Sequence, residues 1–350
     1  ILIGLVGSEM CIRDSYMIVQ AGISRRRSET VHLLSDAVRP TRELAKTLLS
    51  LSIPITISSA VMSLTDLIDV ALIAARLQSP AVGMTAEAAT TAYGIYTGTV
   101  NFFNLPQTLI TALAVSVLPT IASARASQNF TKVSKTMGTT LRLTMIITLP
   151  AGAGFLLLSG PILRMFYSVG VSEQGGPLMA MLGFAVPAVA LVAVTNATLQ
   201  AFGRIDLPLI SMFLGAVVKM LGDYYLIGNP NFGILGAPIS TAVCYWLIAL
   251  LNLFHIARLS HALPPLGKTV GRPLAATVGM GAATYLSHTV LLRVLGTVPG
   301  TLLDKLATLV AIAVAAVVYV VLLLLLRAIE REDVLLLPKG EKIANLLHLK

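Results

Sequence analysis

Eight long apolar runs follow one another from about Leu48 to Leu326, separated by short polar stretches. They fall at approximately 47–72, 89–121, 138–160, 177–202, 206–228, 233–257, 273–295 and 303–327. At ~1.5 Å of rise per helical residue, each is long enough to cross a hydrocarbon core of ~30 Å. The pattern predicts an all-α, polytopic membrane protein of eight transmembrane helices.

Basic residues sharpen this picture, because they gather in every second connection. Arg25, Arg26, Arg27, Arg39, Arg42 and Lys46 precede the first run, and Arg125, Lys132, Lys135 and Arg142 follow the second. Arg204 follows the fourth, Arg258, Lys268 and Arg272 the sixth, and Arg327, Arg331, Lys339, Lys342 and Lys350 the eighth. The alternate connections hold only Arg76, Arg164, Arg293 and Lys305. Positive charge on the cytoplasmic side then puts both visible ends in the cytoplasm, as an even number of spans requires.

Composition agrees: 56% of the 350 residues are hydrophobic and 12% are charged. The net charge of +9 is spread between apolar runs rather than gathered in a patch, which argues against a nucleic-acid partner. Cys11 and Cys244 lack metal-ligand spacing, and the five histidines (His32, His255, His261, His288, His348) form no cluster. No metal, cofactor or catalytic constellation is expected, so the chain does not read as an enzyme.

Organisation follows from the same pattern. Residues 1–15 read as non-native sequence, 16–46 as a cytoplasmic linker and 47–258 as a six-helix unit. The Pro-rich stretch 259–272 reads as a cytoplasmic linker to two further helices at 273–328, and 329–350 as a cytoplasmic tail. Gly228-Asn-Pro-Asn-Phe-Gly233 has the composition of a tight turn.

Charged and amide side chains inside the runs are candidates for function, since a charge at bilayer depth costs about 2.5–3.5 kcal/mol on insertion scales. In the first run Thr56, Ser59, Ser63 and Asp66 recur at helical spacing; Asp69 continues near that stripe, and Asp69 and Arg76 are the candidate charges at its outer end. These can wall a cavity or make ordinary helix–helix hydrogen bonds. Asn101, Asn104, Pro106 and Gln107 fall mid-run in the second, where Pro106 removes a backbone donor and predicts a broken or kinked helix. Asn196 in the fourth run is a cavity candidate. In the fifth, Lys219 and Asp223 stand four apart, so the lysine can pair along its own helix or with Asp66, and can meet an anionic headgroup. Gly152, Gly154, Gly215 and Gly281 read as sites of close helix approach.

Several phrases together resemble a known family. They are Ser52-Ile-Pro-Ile-Thr56 with Leu-Ile-Asp69 further along that run, Phe103-Asn-Leu-Pro106 with Leu109-Ile-Thr-Ala-Leu-Ala-Val-Ser116, and Thr198-Leu-Gln-Ala-Phe-Gly-Arg204. Lys219-Met-Leu-Gly-Asp-Tyr-Tyr225, Gly233-Ile-Leu-Gly-Ala-Pro-Ile-Ser-Thr241 and Arg331-Glu-Asp-Val-Leu-Leu-Leu-Pro338 complete the set. Over about 42–345 the chain resembles the polysaccharide-biosynthesis branch of the MATE-like (MOP) superfamily, most nearly the stage V sporulation protein B group related to the lipid II flippase MurJ. Two residues depart from that pattern: Asp223 where the group more often has Asn, and Pro238 in place of a small residue.

The resemblance implies two six-helix lobes followed by two extra helices, with this chain supplying the second lobe and the extra pair. It implies a flippase of the bacterial cytoplasmic membrane that moves a lipid-linked saccharide precursor, lipid II-like or a polysaccharide repeat unit, by alternating access. Membrane lipid and cell-wall synthesis proteins are the implied partners, and a sodium ion, a proton or the membrane potential the implied driving force. The alternative is a MATE-type exporter of cationic drugs, with Asp66 or Asp69 as its cation site.

Overall fold

A computed structural model of the chain describes residues 41–260, 267–295 and 298–328, with only some side chains resolved before Leu67. The sequence features placed at 1–40, 261–266 and 329–350 lie outside the described residues, as does the Asp66 side chain. Residues 1–50 and 51–350 separate into two units, and the helix bundle belongs to the second.

The described residues form eight long α-helices and no strand, one for each apolar run. They are α1 (Thr41–Leu77), α2 (Ala86–Ala126), α3 (Phe130–Phe166) and α4 (Val169–Ala201), then α5 (Asp206–Ile227), α6 (Gly236–Ser260), α7 (Arg272–Leu295) and α8 (Leu302–Leu325). Among the described residues, six helices, α2–α6 and α8, combine the length and apolarity needed to cross a membrane. α7 is less apolar, being diluted by Gly279, Gly281, Thr284, Ser287 and His288. This is the architecture of a multi-pass membrane protein.

α2 and α3, at 41 and 37 residues, run 8 and 14 residues longer than the apolar runs that predicted them, because hydropathy stops where a helix leaves hydrocarbon while its backbone hydrogen bonding continues. Thr85 caps α2 through the Ala88 amide and Asn129 caps α3 through the Lys132 amide, 3.3 and 3.0 Å. Between α5 and α6, Asn229 closes the expected tight turn: its Oδ1 accepts from the Asn231 amide, and its carbonyl from Phe232 and Gly233. Gly233 there has φ +50°, a conformation that suits glycine.

α4 is the central helix, with 78% of its spanning window buried, and it packs on α2, α3 and α6. One core cluster joins Ile110, Met137, Leu141, Val194, Ile248 and Ile256. A second joins Ile73 and Leu77 of α1 to Leu178, Leu182, Ile227 and Ala237. α7 and α8 pack on each other and on α3, where Met280, Ala315 and Tyr319 meet Ile146 and Ala153. The Tyr319 hydroxyl donates to the Ile146 carbonyl, 2.8 Å.

The buried threonines Thr140, Thr144 and Thr148 of α3 each return a hydroxyl to the carbonyl four residues back, at 2.7–2.8 Å, so those hydroxyls are structural.

Two expectations about the backbone change. α2 is helical without interruption through Pro106; the non-helical residue is instead Leu158 of α3 (φ −114°, ψ 20°), three residues before Pro161. Pro106 forgoes one hydrogen bond and crowds the carbonyl four residues back, and α2 keeps helical backbone angles through it. Among the four glycines, Gly154 has open space where a Cβ would go, while Gly152, Gly215 and Gly281 are at contacts.

The tightest approach is between α3 and α4. A Cβ on Gly152 would lie 2.5 Å from the Gly183 carbonyl oxygen, and one on Gly183 would lie 2.6 Å from that of Gly152. Backbone on backbone cannot yield as a side chain can. Gly183→Ala is expected to destabilise the bundle by about 1–3 kcal/mol, and Gly154→Ala to be near neutral, read as melting temperatures in detergent.

Candidate functional site

A cavity of about 490 Å³ opens among five of the helices. α1 contributes Asp69, α2 Tyr93, Tyr96, Thr97, Asn104 and Gln107, α4 Asn196, α5 Met212 and Lys219, and α6 Thr241 and Tyr245. Leu182, Val189, Val192 and Ile248 supply apolar wall between them. The cavity is walled largely by apolar side chains but carries amides, hydroxyls and charged groups inside an apolar bundle.

One side of it is a charged cluster built by three helices. Lys219 Nζ donates to Asp223 Oδ2 at 3.0 Å along α5, and forms an ion pair with Asp69 of α1. Ser240 of α6 donates its hydroxyl to the other oxygen of Asp223. Lys219 and Asp223 are 7% and 1% exposed, which rules out a solvated surface pair. Near the cluster, the Tyr96 hydroxyl of α2 meets the Thr241 hydroxyl at 3.5 Å.

The i, i+4 pairing of Lys219 with Asp223 is the one the spacing predicts. The second partner is Asp69, although the aspartate expected in that role from the sequence is Asp66. Asp69 and Lys219 each precede the ends of their helices, Leu77 and Ile227, by eight residues, ~12 Å of rise, and those two ends share one core cluster. The two charges are therefore level, and Asp69 belongs to the cavity wall rather than to a helix end.

Arg76 does stand in the last turn of α1. Its Nε donates to the Tyr224 carbonyl at 3.0 Å, and its guanidinium lies 4.0 Å from the centre of the Tyr224 ring. A Cβ at Gly228 would overlap that guanidinium, so a larger residue there would displace the arginine. Arg76 thus ties α1 to the end of α5.

Of the amides, Asn104, Gln107 and Asn196 line the cavity; Asn101 is exposed and Pro106 buried, and neither is among the lining residues. Asn101 stands one turn from both Thr97 and Asn104, at the edge of the face they present, and its side chain is exposed.

Asn252, which carries no mark in the sequence beyond being an amide inside an apolar run, stands behind Asn196. It is fully buried and donates to Asn196 Oδ1 at 2.7 Å and Thr195 Oγ1 at 3.1 Å. With its oxygen so occupied, Asn196 offers its NH₂ group, which reaches Met212 Sδ at 3.6 Å, to the cavity side. The polar lining Tyr93, Tyr96, Thr97 and Thr241 is likewise unmarked in sequence, because tyrosines and threonines in spans serve packing as often as cavities.

Away from the cavity, Asp304 of α8 is 2% exposed and accepts from Arg164 of α3 at 2.8 Å and from the Gly300 amide at 3.0 Å. Among the described residues no cluster of three or more His, Cys, Asp or Glu suits a metal ion.

The model of the lipid II flippase MurJ family matches residues 27–301. The chain belongs to the MurJ lipid II flippase family. Among curated proteins it is 24% identical over 322 residues to the uncharacterized membrane protein YabM of Bacillus subtilis, covering 92% of this chain and 59% of YabM. It is 26% identical over 221 residues to the lipid II flippase MurJ of B. subtilis, covering 61% and 40%. It is 30% identical over 214 residues to the multidrug resistance protein NorM of Burkholderia vietnamiensis, covering 56% and 46%.

In fold it resembles a lipid II flippase MurJ in an inward closed conformation, with a TM-score of 0.61 at 17% identity over 86% of this chain and 57% of that one. A MOP superfamily transporter from Pyrococcus furiosus matches with a TM-score of 0.53. The chain thus spans roughly half the length of these relatives, between 40% and 69%.

Proposed function

We propose that this chain forms the second six-helix lobe, α1–α6, and the added helix pair, α7–α8, of a longer flippase of the bacterial cytoplasmic membrane. In this reading the complete protein moves a lipid-linked saccharide precursor between leaflets, with both visible ends of this chain cytoplasmic. The carrying observation is the polar cavity inside the lobe, with Asn104, Gln107 and Asn196 on its wall beside the Asp69–Lys219–Asp223 cluster. Amides in two-way hydrogen bonding match sugar hydroxyls and peptide groups, which cannot cross hydrocarbon unaided. A facing lobe would complete the chamber, and rocking of one lobe against the other would alternate its opening.

The α7–α8 pair is fixed to α3 through Arg164–Asp304 and the Tyr319 contact, so it would move with this lobe. Lys219 is held by two carboxylates; its contact with a pyrophosphate would require one of them to let go. Asp223 holds the lysine in this reading.

The resemblance to NorM carries the second reading, export of cationic compounds, for which a net negative cluster at Asp69 and Asp223 is a suitable wall. Reconstitution separates the two. Proteoliposomes of the complete protein are expected to translocate a fluorescent lipid-linked disaccharide-peptide; cation efflux without translocation would favour the exporter. Residues 1–350 alone are expected to translocate nothing, since the facing wall is missing.

A further inference from the structure

The cluster on the cavity wall gathers oxygen groups from three helices: Asp69 of α1, Asp223 of α5 and Ser240 of α6. Two carboxylates converging in a buried place repel each other unless a cation or a proton sits between them. An all-oxygen set of this kind, two carboxylates and a hydroxyl, suits a small hard cation such as sodium, potassium or ammonium rather than a soft metal. Here the position between the carboxylates is filled by an ammonium that belongs to the chain. Lys219 Nζ touches both, 3.0 Å from Asp223 Oδ2, and the side chain is 9% exposed.

We propose that the Lys219 ammonium is a built-in counter-cation, standing where a chain with a short neutral side chain at this position would take a monovalent cation from solution. Being covalently tethered, it is not lost by dilution and does not exchange, so it outcompetes sodium and potassium at any ordinary concentration. The nearby Arg76, seven residues further along α1 than Asp69, does not take its place, being engaged with the Tyr224 carbonyl and ring.

The consequence is that α1 stays joined to α5 and α6 irrespective of which salt surrounds the protein. Energy for any conformational cycle then comes from a source other than occupancy of this cluster by a metal cation. The counter-cation role is independent of which molecule the cavity carries, so a failed translocation assay leaves the proposal intact.

The test is the melting temperature of the full chain in detergent, in choline chloride and in sodium, potassium or ammonium chloride at equal ionic strength. The wild type is expected to melt at one temperature in all four. Lys219→Ala, which leaves room for an ion, is expected to melt about 3–5 °C higher in at least one of the small-cation salts than in choline. Adding Asp69→Asn to Lys219→Ala is expected to abolish that difference.

Lys219→Gln is read in the same way if the alanine variant does not fold in choline; recovery of folded protein only in a small-cation salt supports the proposal. Sodium or potassium stabilising the wild type over choline would overturn it. So would indifference of both Lys219 variants to all three small cations, or failure of both to fold in every salt.

Discussion

Lys219→Met is expected to abolish translocation by the complete protein and to lower its melting temperature more than any other single change in the cavity. The thioether fills the space of the lysine stem but brings no charge, so Asp69 and Asp223 are left facing each other without their cation. Removing one partner from a buried ionic group typically destabilises by about 3–5 kcal/mol, because the remaining charge is left uncompensated. Protonation of one carboxylate would recover part of this at low pH, so the deficit is expected to shrink on acidification. Translocation and melting both at wild-type level in Lys219→Met would show that the cluster neither holds α1 nor serves the cavity.

The second large effect is expected far from the cavity. Asp304→Ala removes a carboxylate that is 2% exposed and leaves the Arg164 guanidinium, 16% exposed, without its partner. It also strips the Gly300 amide of its acceptor at the start of α8. Loss of the pair is expected to destabilise by about 3–5 kcal/mol, with α7–α8 released from α3 before the rest melts. Cysteine labelling at Ala153, which packs in the α3–α7–α8 cluster, would report that release as a rise in reactivity of an introduced thiol. Arg164→Met combined with Asp304→Leu is expected to recover much of the loss, since an apolar pair of similar volume needs no partner. Equal labelling in wild type and Asp304→Ala would show that the pair does not hold the helices together.

These two ionic groups show what the sequence could and could not reveal. The helices are legible because a membrane span announces itself by its own composition, and all eight runs are helices. Lys219 with Asp223 is legible because the pair sits four apart on one helix, so its geometry is local. Asp69 reads as a residue near a helix end because no local pattern says that residue 69 and residue 219 are level; that follows only once α1 and α5 lie side by side. Arg164 and Asp304 are invisible for the same reason, being 140 residues apart and each close to a connection, where charges ordinarily face water.

The amide cavity is half legible. Asn104, Gln107 and Asn196 stand out because amides are scarce in spans, and all three line the chamber. Asn101 stands one turn from Thr97 and from Asn104, so helical periodicity does not separate it from the cavity face; only its exposure in the structure does. Asn252 looks like a lone amide in an apolar run; only its bonds to Thr195 and Asn196 reveal that it orients a cavity residue. Pro106 misleads because a proline's effect depends on whether its surroundings tolerate a missing hydrogen bond, and α2 absorbs it without a break.

The central claim, that a polar chamber in this lobe carries the headgroup of a lipid-linked saccharide, is tested most directly by one comparison of rates. The complete protein, reconstituted in liposomes, is assayed for translocation of a labelled lipid-linked disaccharide-peptide as wild type, Asn104→Leu, Asn196→Leu and Asn101→Leu. The two cavity variants are expected to slow translocation by about tenfold or more each, on the order of one lost hydrogen bond to a polar substrate, while Asn101→Leu keeps the wild-type rate. Equal rates in all four proteins would contradict the account.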